Sequence, residues 1–159
     1  MLAINHENID ADVLILGKAV SRGVYPVSAV LANDEIMNVI QPGQHGSTYG
    51  GNPLAAAVAM EAMKVVLDEK LADNAEKLGQ LFRSEINKLI QDFSLFKSVR
   101  GKGLLNAILI NDTPDSENGL LAKPTHGNII RFAPPLVMNE EQLHECIAVI
   151  RKTAEEFNK

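Results

Sequence analysis

Apolar positions along the chain change their spacing several times, and each change predicts an element. Val13-Leu-Ile-Leu16 is a short apolar run between Asp12 and Gly17-Lys18, which predicts a buried strand followed by a turn. Tyr25 to Leu31 is a second strand-like stretch, with Pro26 near its start. Gln41 to Asn52 holds four glycines and one proline among hydroxyl and amide side chains, so it reads as a long loop. Asn52-Pro53 then predicts a helix start, with Asn as N-cap and Pro in the first turn. Leu54, Val58, Ala62, Val65 and Val66 recur at helical spacing behind it. A second helix is expected over about Ala72 to Ile90, with Ala75, Leu78, Leu81, Phe82, Ile86, Leu89 and Ile90 as its apolar face.

The later chain returns to short runs. Phe96 to Val99 and Leu104 to Ile110 are strand candidates around a turn at Arg100-Gly-Lys-Gly103. Leu120 to Lys123 and Ile129 to Phe132 are two more, the last ended by Pro134-Pro135. A closing amphipathic helix is expected from about Glu140 to Phe157, with Leu143, Ile147, Ile150, Ala154 and Phe157 on one face. The class is therefore α/β: residues 1–68 read as the end of a larger sheet domain, and residues 69–159 as a compact α+β unit.

Composition narrows the partners. The chain has 159 residues, is 46% hydrophobic and 22% charged, and carries a net charge of -5. That charge argues against a general nucleic-acid binder and against an anionic membrane surface. No apolar run is long enough for a membrane span. The single cysteine, Cys146, allows no disulfide within the chain and suits a reducing compartment. Polar, acid-bearing residues from Met1 to Asp12 do not form a secretory signal.

Three places offer chemistry. Lys18 follows an apolar strand, and a low-dielectric wall behind an amine favours its neutral form, which condenses with an aldehyde. The plainer alternative is a surface lysine at a strand-to-loop junction. Gly17-Lys18 is not a phosphate-binding P-loop, because Asp12 stands where that motif needs glycine and Ala19 replaces its Ser or Thr. His45-Gly-Ser-Thr-Tyr-Gly-Gly-Asn52 brings backbone amides and hydroxyls to a helix N-terminus, an arrangement that suits a phosphate; a plain glycine loop is the other reading. Arg131, within Ile129-Ile-Arg-Phe132, is either a carboxylate-seeking guanidinium with an acidic partner or the solvent side of a strand. His6, His45, His126 and His144 lack metal-ligand spacing, so no metal is expected. Ser21, Ser28 and Ser47 form no nucleophile elbow.

Taken in order, these segments resemble one family. Leu16-Gly-Lys-Ala-Val-Ser-Arg-Gly-Val-Tyr-Pro-Val-Ser-Ala-Val30 is similar to the cofactor-lysine region of the class III, fold type I aminotransferases. His45-Gly-Ser-Thr-Tyr-Gly-Gly-Asn-Pro53 resembles the loop that in this family reaches across a dimer. Tyr25-Pro-Val-Ser-Ala29, Arg100-Gly-Lys-Gly-Leu-Leu-Asn-Ala107, Leu120-Leu-Ala-Lys-Pro-Thr-His-Gly127 and Ile130-Arg-Phe-Ala-Pro-Pro135 point to its ornithine branch. The resemblance implies a pyridoxal-phosphate enzyme, with the end of the large cofactor-binding domain followed by the small C-terminal domain. Lys18 would be the Schiff-base lysine and proton shuttle. Thr48, with Ser47 beside it, would touch the cofactor phosphate of the partner subunit, making the site a property of a homodimer. Arg131 would bind the substrate carboxylate. The implied reaction moves the δ-amino group of ornithine onto 2-oxoglutarate, giving glutamate semialdehyde and glutamate.

Two departures from the family carry expectations. The family's upstream half, which supplies the pyridine-nitrogen aspartate and the stacking aromatic, has no counterpart here, so this chain is expected to be inactive alone. The segment Asn111 to Gly119 has nine residues, too few for the helix the family places there, which implies a hairpin or absent residues. The competing functions are a non-catalytic oligomerisation module and another class III transaminase, acting on acetylornithine or 4-aminobutyrate. The compartment is expected to be the cytoplasm, with the mitochondrial matrix as the alternative.

Overall fold

The computed structural model describes residues 2–111, 123–125 and 127–157. The chain divides into two compact units, Met1–Glu69 and Lys70–Lys159.

In the first unit, β1 (Val13–Leu16) and β2 (Ala29–Ala32) form an antiparallel ladder, from Val13 opposite Ala32 to Leu16 opposite Ala29. The expected buried strand is present, but it is not buried: Val13 is 43% and Ile15 74% exposed. Two strands pair each other's backbones yet supply no layer above or below to cover their side chains. The strand expected from Tyr25 begins only at Ala29, because the backbone N–H and carbonyl of Tyr25 are both taken by the Ser21 hydroxyl. A short helix not anticipated from the pattern, α1 (Asp34–Met37), follows Asn33, whose side chain accepts from the Ile36 N–H at 3.0 Å. The longer α2 (Pro53–Asp68) starts as expected, with the Asn52 carboxamide oxygen accepting from Leu54 N–H at 2.9 Å. Its covered side keeps Val66 of the expected stripe, with Val58 and Ala62 half-buried, and adds Ala55 and Ala59. Ala55, Ala59 and Val66 are buried, whereas Leu54 is 57% exposed. Ala55 and Ala59 mark the close-packed side in the first half of the helix, and Val66 marks it in the second.

In the second unit, α3 (Leu71–Asp92) and α4 (Glu140–Phe157) cover one face of a four-stranded sheet. The strands are β3 (Phe96–Lys102), β4 (Leu105–Ile110), β5 (Lys123–Thr125) and β6 (Ile129–Phe132), in the spatial order β3-β4-β6-β5, each antiparallel to its neighbour. Leu78, Phe82, Ile86 and Leu89 of α3 meet Phe96, Ile108 and Ile110 of the sheet and Leu143, Ile147, Ile150 and Ala154 of α4. Each large apolar side chain buried this fully contributes about 1.5–3 kcal/mol. A bulge between Phe96 and Ser98 adds a residue to β3, so Phe96 and Val99 both turn inward although they are three apart.

Several boundaries moved. β3 continues through Lys102, so the turn expected at Arg100–Gly103 shrinks to Gly103-Leu104, with Gly103 at φ +51°. The hairpin alternative for the next connection does not hold. β4 and β5 both run antiparallel to β6 and are therefore parallel to each other, with β6 between them. Of the positions between them, 111–122, only Asn111 is among the described residues. The strand expected at Leu120 to Lys123 lies mostly outside the described residues; the described strand starts at Lys123.

The β3–β4 turn is seated on α3 at van der Waals limits. A Cβ on Gly79 would lie 1.8 Å from the Gly103 carbonyl oxygen, and one on Gly101 2.2 Å from the Asn106 Oδ1. Asn106 is 3% exposed and fully engaged: its Oδ1 accepts from Arg83 Nη1 at 2.9 Å, and its Nδ2 donates to the Gly103 carbonyl at 3.1 Å. Ala for Gly within a helix normally stabilises by about 0.5–1 kcal/mol. Here Gly79→Ala is expected to lower the stability of the second unit by at least ~2 kcal/mol, read as a lower urea midpoint.

At the surface, Lys77 Nζ donates to Glu140 at 2.8 Å, and that hydrogen bond holds the Glu140 carboxyl below the usual carboxylate range. A Gln80 hydrogen bond does the same for Glu76. A depressed folded pKa gives stability that is present above the unfolded carboxylate value near 4.5 and is lost as pH falls through that region. Lys77→Met should flatten this acid-side loss, measured as melting temperature against pH.

Candidate active site

Lys18 stands two residues past the end of β1 and is exposed, at φ 54°, the left-handed region that costs a side-chain-bearing residue about 1–2 kcal/mol. Turn hydrogen bonds hold it there: Ala19 N–H to Gly17 O at 2.6 Å, Arg22 N–H to Ala19 O at 3.1 Å and Val24 N–H to Ser21 O at 3.1 Å. Arg22, also at φ 54°, and Gly23, at φ 83°, complete the coil. Ser21, 2% exposed, is its one buried residue. The apolar wall expected behind Lys18 is not supplied by β1, whose side chains are half-buried or exposed.

The glycine loop is exposed throughout residues 41–51. Ser47 Oγ accepts from the Gly50 N–H at 3.0 Å, which closes a turn and commits that hydroxyl to its own loop. The Thr48 hydroxyl has no hydrogen-bond partner among the described residues. Asn52 ends the loop and does two things at once. Its oxygen caps α2, while its Nδ2 donates to the Tyr25 hydroxyl at 3.1 Å. Lys18, Ser47 and Thr48 thus belong to one unit, and their segments are joined by side chains that sequence spacing did not single out: Ser21, Tyr25 and Asn52. The Asn-Pro helix start made Asn52 visible as a cap. Nothing in the spacing showed that its amide nitrogen would reach a residue 27 positions earlier.

Arg131 lies in the second unit. Ile130 and Phe132 turn inward, and the Phe132 ring meets Phe82 at 5.5 Å between centroids. Strand alternation therefore sends Arg131 to the other face, where it is exposed. This is the solvent-side reading of the two left open for it, and the desolvation argument for an acidic protein partner does not apply. Its register neighbours are Ala107 on β4 and Lys123 on β5, and Arg100 pairs with Ala107 from the far strand. Among the described residues no group of three or more His, Cys, Asp or Glu side chains is placed to hold a metal ion.

Comparison with known proteins places the chain in a family. Residues 1–154 match the family described as aminotransferase class-III, and the chain belongs to that family. Among curated relatives it is 59% identical to the mitochondrial ornithine aminotransferase of Drosophila melanogaster, over 96% of this chain and 37% of that protein. It is 52% identical to the mitochondrial ornithine aminotransferase of Rattus norvegicus, over 98% of this chain and 37% of that one. Among solved structures, the acetylornithine aminotransferase from Elizabethkingia anophelis is 67% identical, with a TM-score of 0.90 over 98% of this chain and 43% of that one. The Plasmodium falciparum ornithine δ-aminotransferase is 47% identical, with a TM-score of 0.88 over 98% and 42%. The chain spans roughly two fifths of the length of these relatives.

Since Arg131 is exposed and makes no side-chain hydrogen bond or ion pair among the described residues, Arg131→Gln should change the unfolding free energy of this chain by no more than about 0.5 kcal/mol. A larger loss in urea titration would mean that the side chain has a structural partner.

Proposed function

We propose that this chain is the C-terminal part of a pyridoxal-phosphate-dependent ornithine δ-aminotransferase, which moves the δ-amino group of ornithine to 2-oxoglutarate. The observation that carries the reading is the joint presence of Lys18 and the Ser47–Thr48 loop in one tethered unit, in a chain 59% identical to an ornithine aminotransferase. In this reading residues 1–68 end the large cofactor-binding domain, and residues 69–159 form the small domain.

The residues fit the cofactor. Lys18 presents an unencumbered amine, and the loop before α2 presents backbone amides, a free Thr48 hydroxyl and a helix N-terminus suited to a phosphate. When bound, pyridoxal phosphate supplies the electron sink for amino transfer. Lys18 Nζ would hold the cofactor through its aldehyde carbon and would move the proton between the substrate's amine-bearing carbon and the cofactor. Thr48, with Ser47 shaping its turn, donates to the phosphate of the partner subunit's cofactor, so two subunits complete each site. Arg131 takes the carboxylate of the amino acid or oxo acid in two parallel hydrogen bonds.

A second reading is favoured by one finding: the relative that is 67% identical is titled an acetylornithine aminotransferase. Donor rates measured with ornithine, acetylornithine and 4-aminobutyrate on a full-length protein separate the two. A non-catalytic oligomerisation module is the third reading, and it predicts no cofactor absorbance that depends on Lys18. For the compartment we favour the cytoplasm, on the single cysteine; the mitochondrial matrix is the alternative, since several relatives are named mitochondrial.

Two measurements test the assignment. The 159-residue chain by itself should show no ornithine-dependent turnover, because the upstream half that supports the pyridine ring in the family is not in it. In a full-length dimer containing this chain, borohydride reduction with pyridoxal phosphate should leave the pyridoxyl label on Lys18. A label on another lysine would overturn the reading.

A further inference from the structure

We propose that Tyr25 and Asn52 form a strap that ties the Lys18 coil to the Ser47–Thr48 loop, and that each subunit's strap thereby positions groups for two different active sites. The inference rests on the proposed shared-site dimer, in which Lys18 serves its own subunit's cofactor and Thr48 serves the partner's.

The geometry is specific. In the first unit every side-chain hydrogen bond among the described residues spans four positions or fewer, except Asn52 Nδ2 to Tyr25 Oη at 3.1 Å, which spans 27. On one side the strap continues into the lysine coil. The Tyr25 N–H donates to Ser21 Oγ at 3.3 Å, Ser21 Oγ donates back to the Tyr25 carbonyl, and turn bonds run on to Gly17. On the other side Asn52 N–H donates to the Tyr49 carbonyl at 3.3 Å, one residue beyond Thr48, and Gly50 closes on Ser47. Capping α2 needs only the Asn52 oxygen; the amide nitrogen is free to do something else. The loop is exposed throughout residues 41–51, and its own bonds are short-range turns such as Gln44 N–H to Gln41 O and Gly50 N–H to Ser47 Oγ. A longer-range tether lowers the cost of holding Thr48 at a phosphate, since the ordering entropy of an exposed loop otherwise comes out of ligand affinity. Tyr25 and Asn52 act here as positioning residues.

The test uses mixed dimers of a full-length holoenzyme in which this chain replaces the matching part of the Elizabethkingia relative. One subunit carries Lys18→Ala. The mixed dimer then keeps one working site, built from Lys18 of the unaltered subunit and Thr48 of the altered one. Pyridoxal phosphate is titrated, and borohydride trapping with mass spectrometry reads the fraction of Lys18 labelled at each concentration. Adding Tyr25→Phe to the Lys18→Ala subunit should raise the half-labelling concentration about fivefold, the worth of one neutral hydrogen bond, while turnover at saturating cofactor stays within about twofold. Asn52→Ser keeps a good cap, removes the amide donor and should match it. A merely destabilised subunit would instead lower turnover at saturation, and that result overturns the strap. Thr48→Ala in the same subunit is the control. If it leaves labelling unchanged, the shared-site reading fails. If it weakens labelling while Tyr25→Phe and Asn52→Ser do not, the shared site stands and the strap is overturned.

Discussion

The second unit depends on a contact with no side chain in it. The helix at Gly79 and the turn at Gly103 approach so closely that no Cβ fits between them. That approach lets Arg83 and Asn106 close a buried polar cluster around the Gly103 carbonyl, in which each group has a partner. With the turn seated, β4 has one allowed phase: Asn106, Ile108 and Ile110 face the helices. The register of β4 with β6 then sends Ile130 and Phe132 inward and Arg131 outward. A candidate substrate arginine is thus placed by backbone packing a full strand away. A slip of one residue would turn Arg131 toward the core, where its charge would be intolerable without a partner.

The first unit is built on the opposite principle. It has few buried side chains, and its ladder leaves Ile15 and Val30 open to solvent. Its order comes from hydrogen bonds at turns and caps: Asn33, Ser21, Ser47, Gln41 and Asn52 each satisfy backbone groups locally with their side chains. Lys18 is held in an unfavourable left-handed conformation by such bonds and not by packing. Strain retained at a residue of this chemistry is a pointer to function, because surrounding bonds must maintain it. Large exposed apolar side chains around that coil agree with a unit that spans only part of the length of its relatives.

The comparisons and the chemistry divide the functional question between them. Family membership rests on a match through residue 154 and on identities above half of the aligned positions in several relatives. The donor amino acid does not follow from it, because relatives of similar likeness carry both ornithine and acetylornithine in their names. In the proposed reading this chain would contribute the same three groups to either reaction: the Lys18 amine, the Ser47–Thr48 loop and the Arg131 guanidinium.

By itself the sequence determined the elements whose signals are local. The spacing of Leu78, Phe82, Ile86 and Leu89, and of Leu143, Ile147, Ile150 and Ala154, set the buried faces of α3 and α4, because helical period is a property of the chain alone. Asn52-Pro53 likewise set the start of α2, and the ordered motifs around Lys18, Thr48 and Arg131 named the family. Tertiary structure decided what depends on distant partners. The covered side of α2 takes in Ala55 and Ala59 as well as Val66, because proximity as well as hydrophobicity selects the close-packed side. The turn at Gly103 is tighter than its four-residue motif suggested because Gly79 meets it across 24 positions of chain. β4 and β5 run parallel because β6 inserts between them. The Tyr25–Asn52 bond was equally illegible, since a hydroxyl and an amide have many possible partners, and only the folded backbone brings these two within reach.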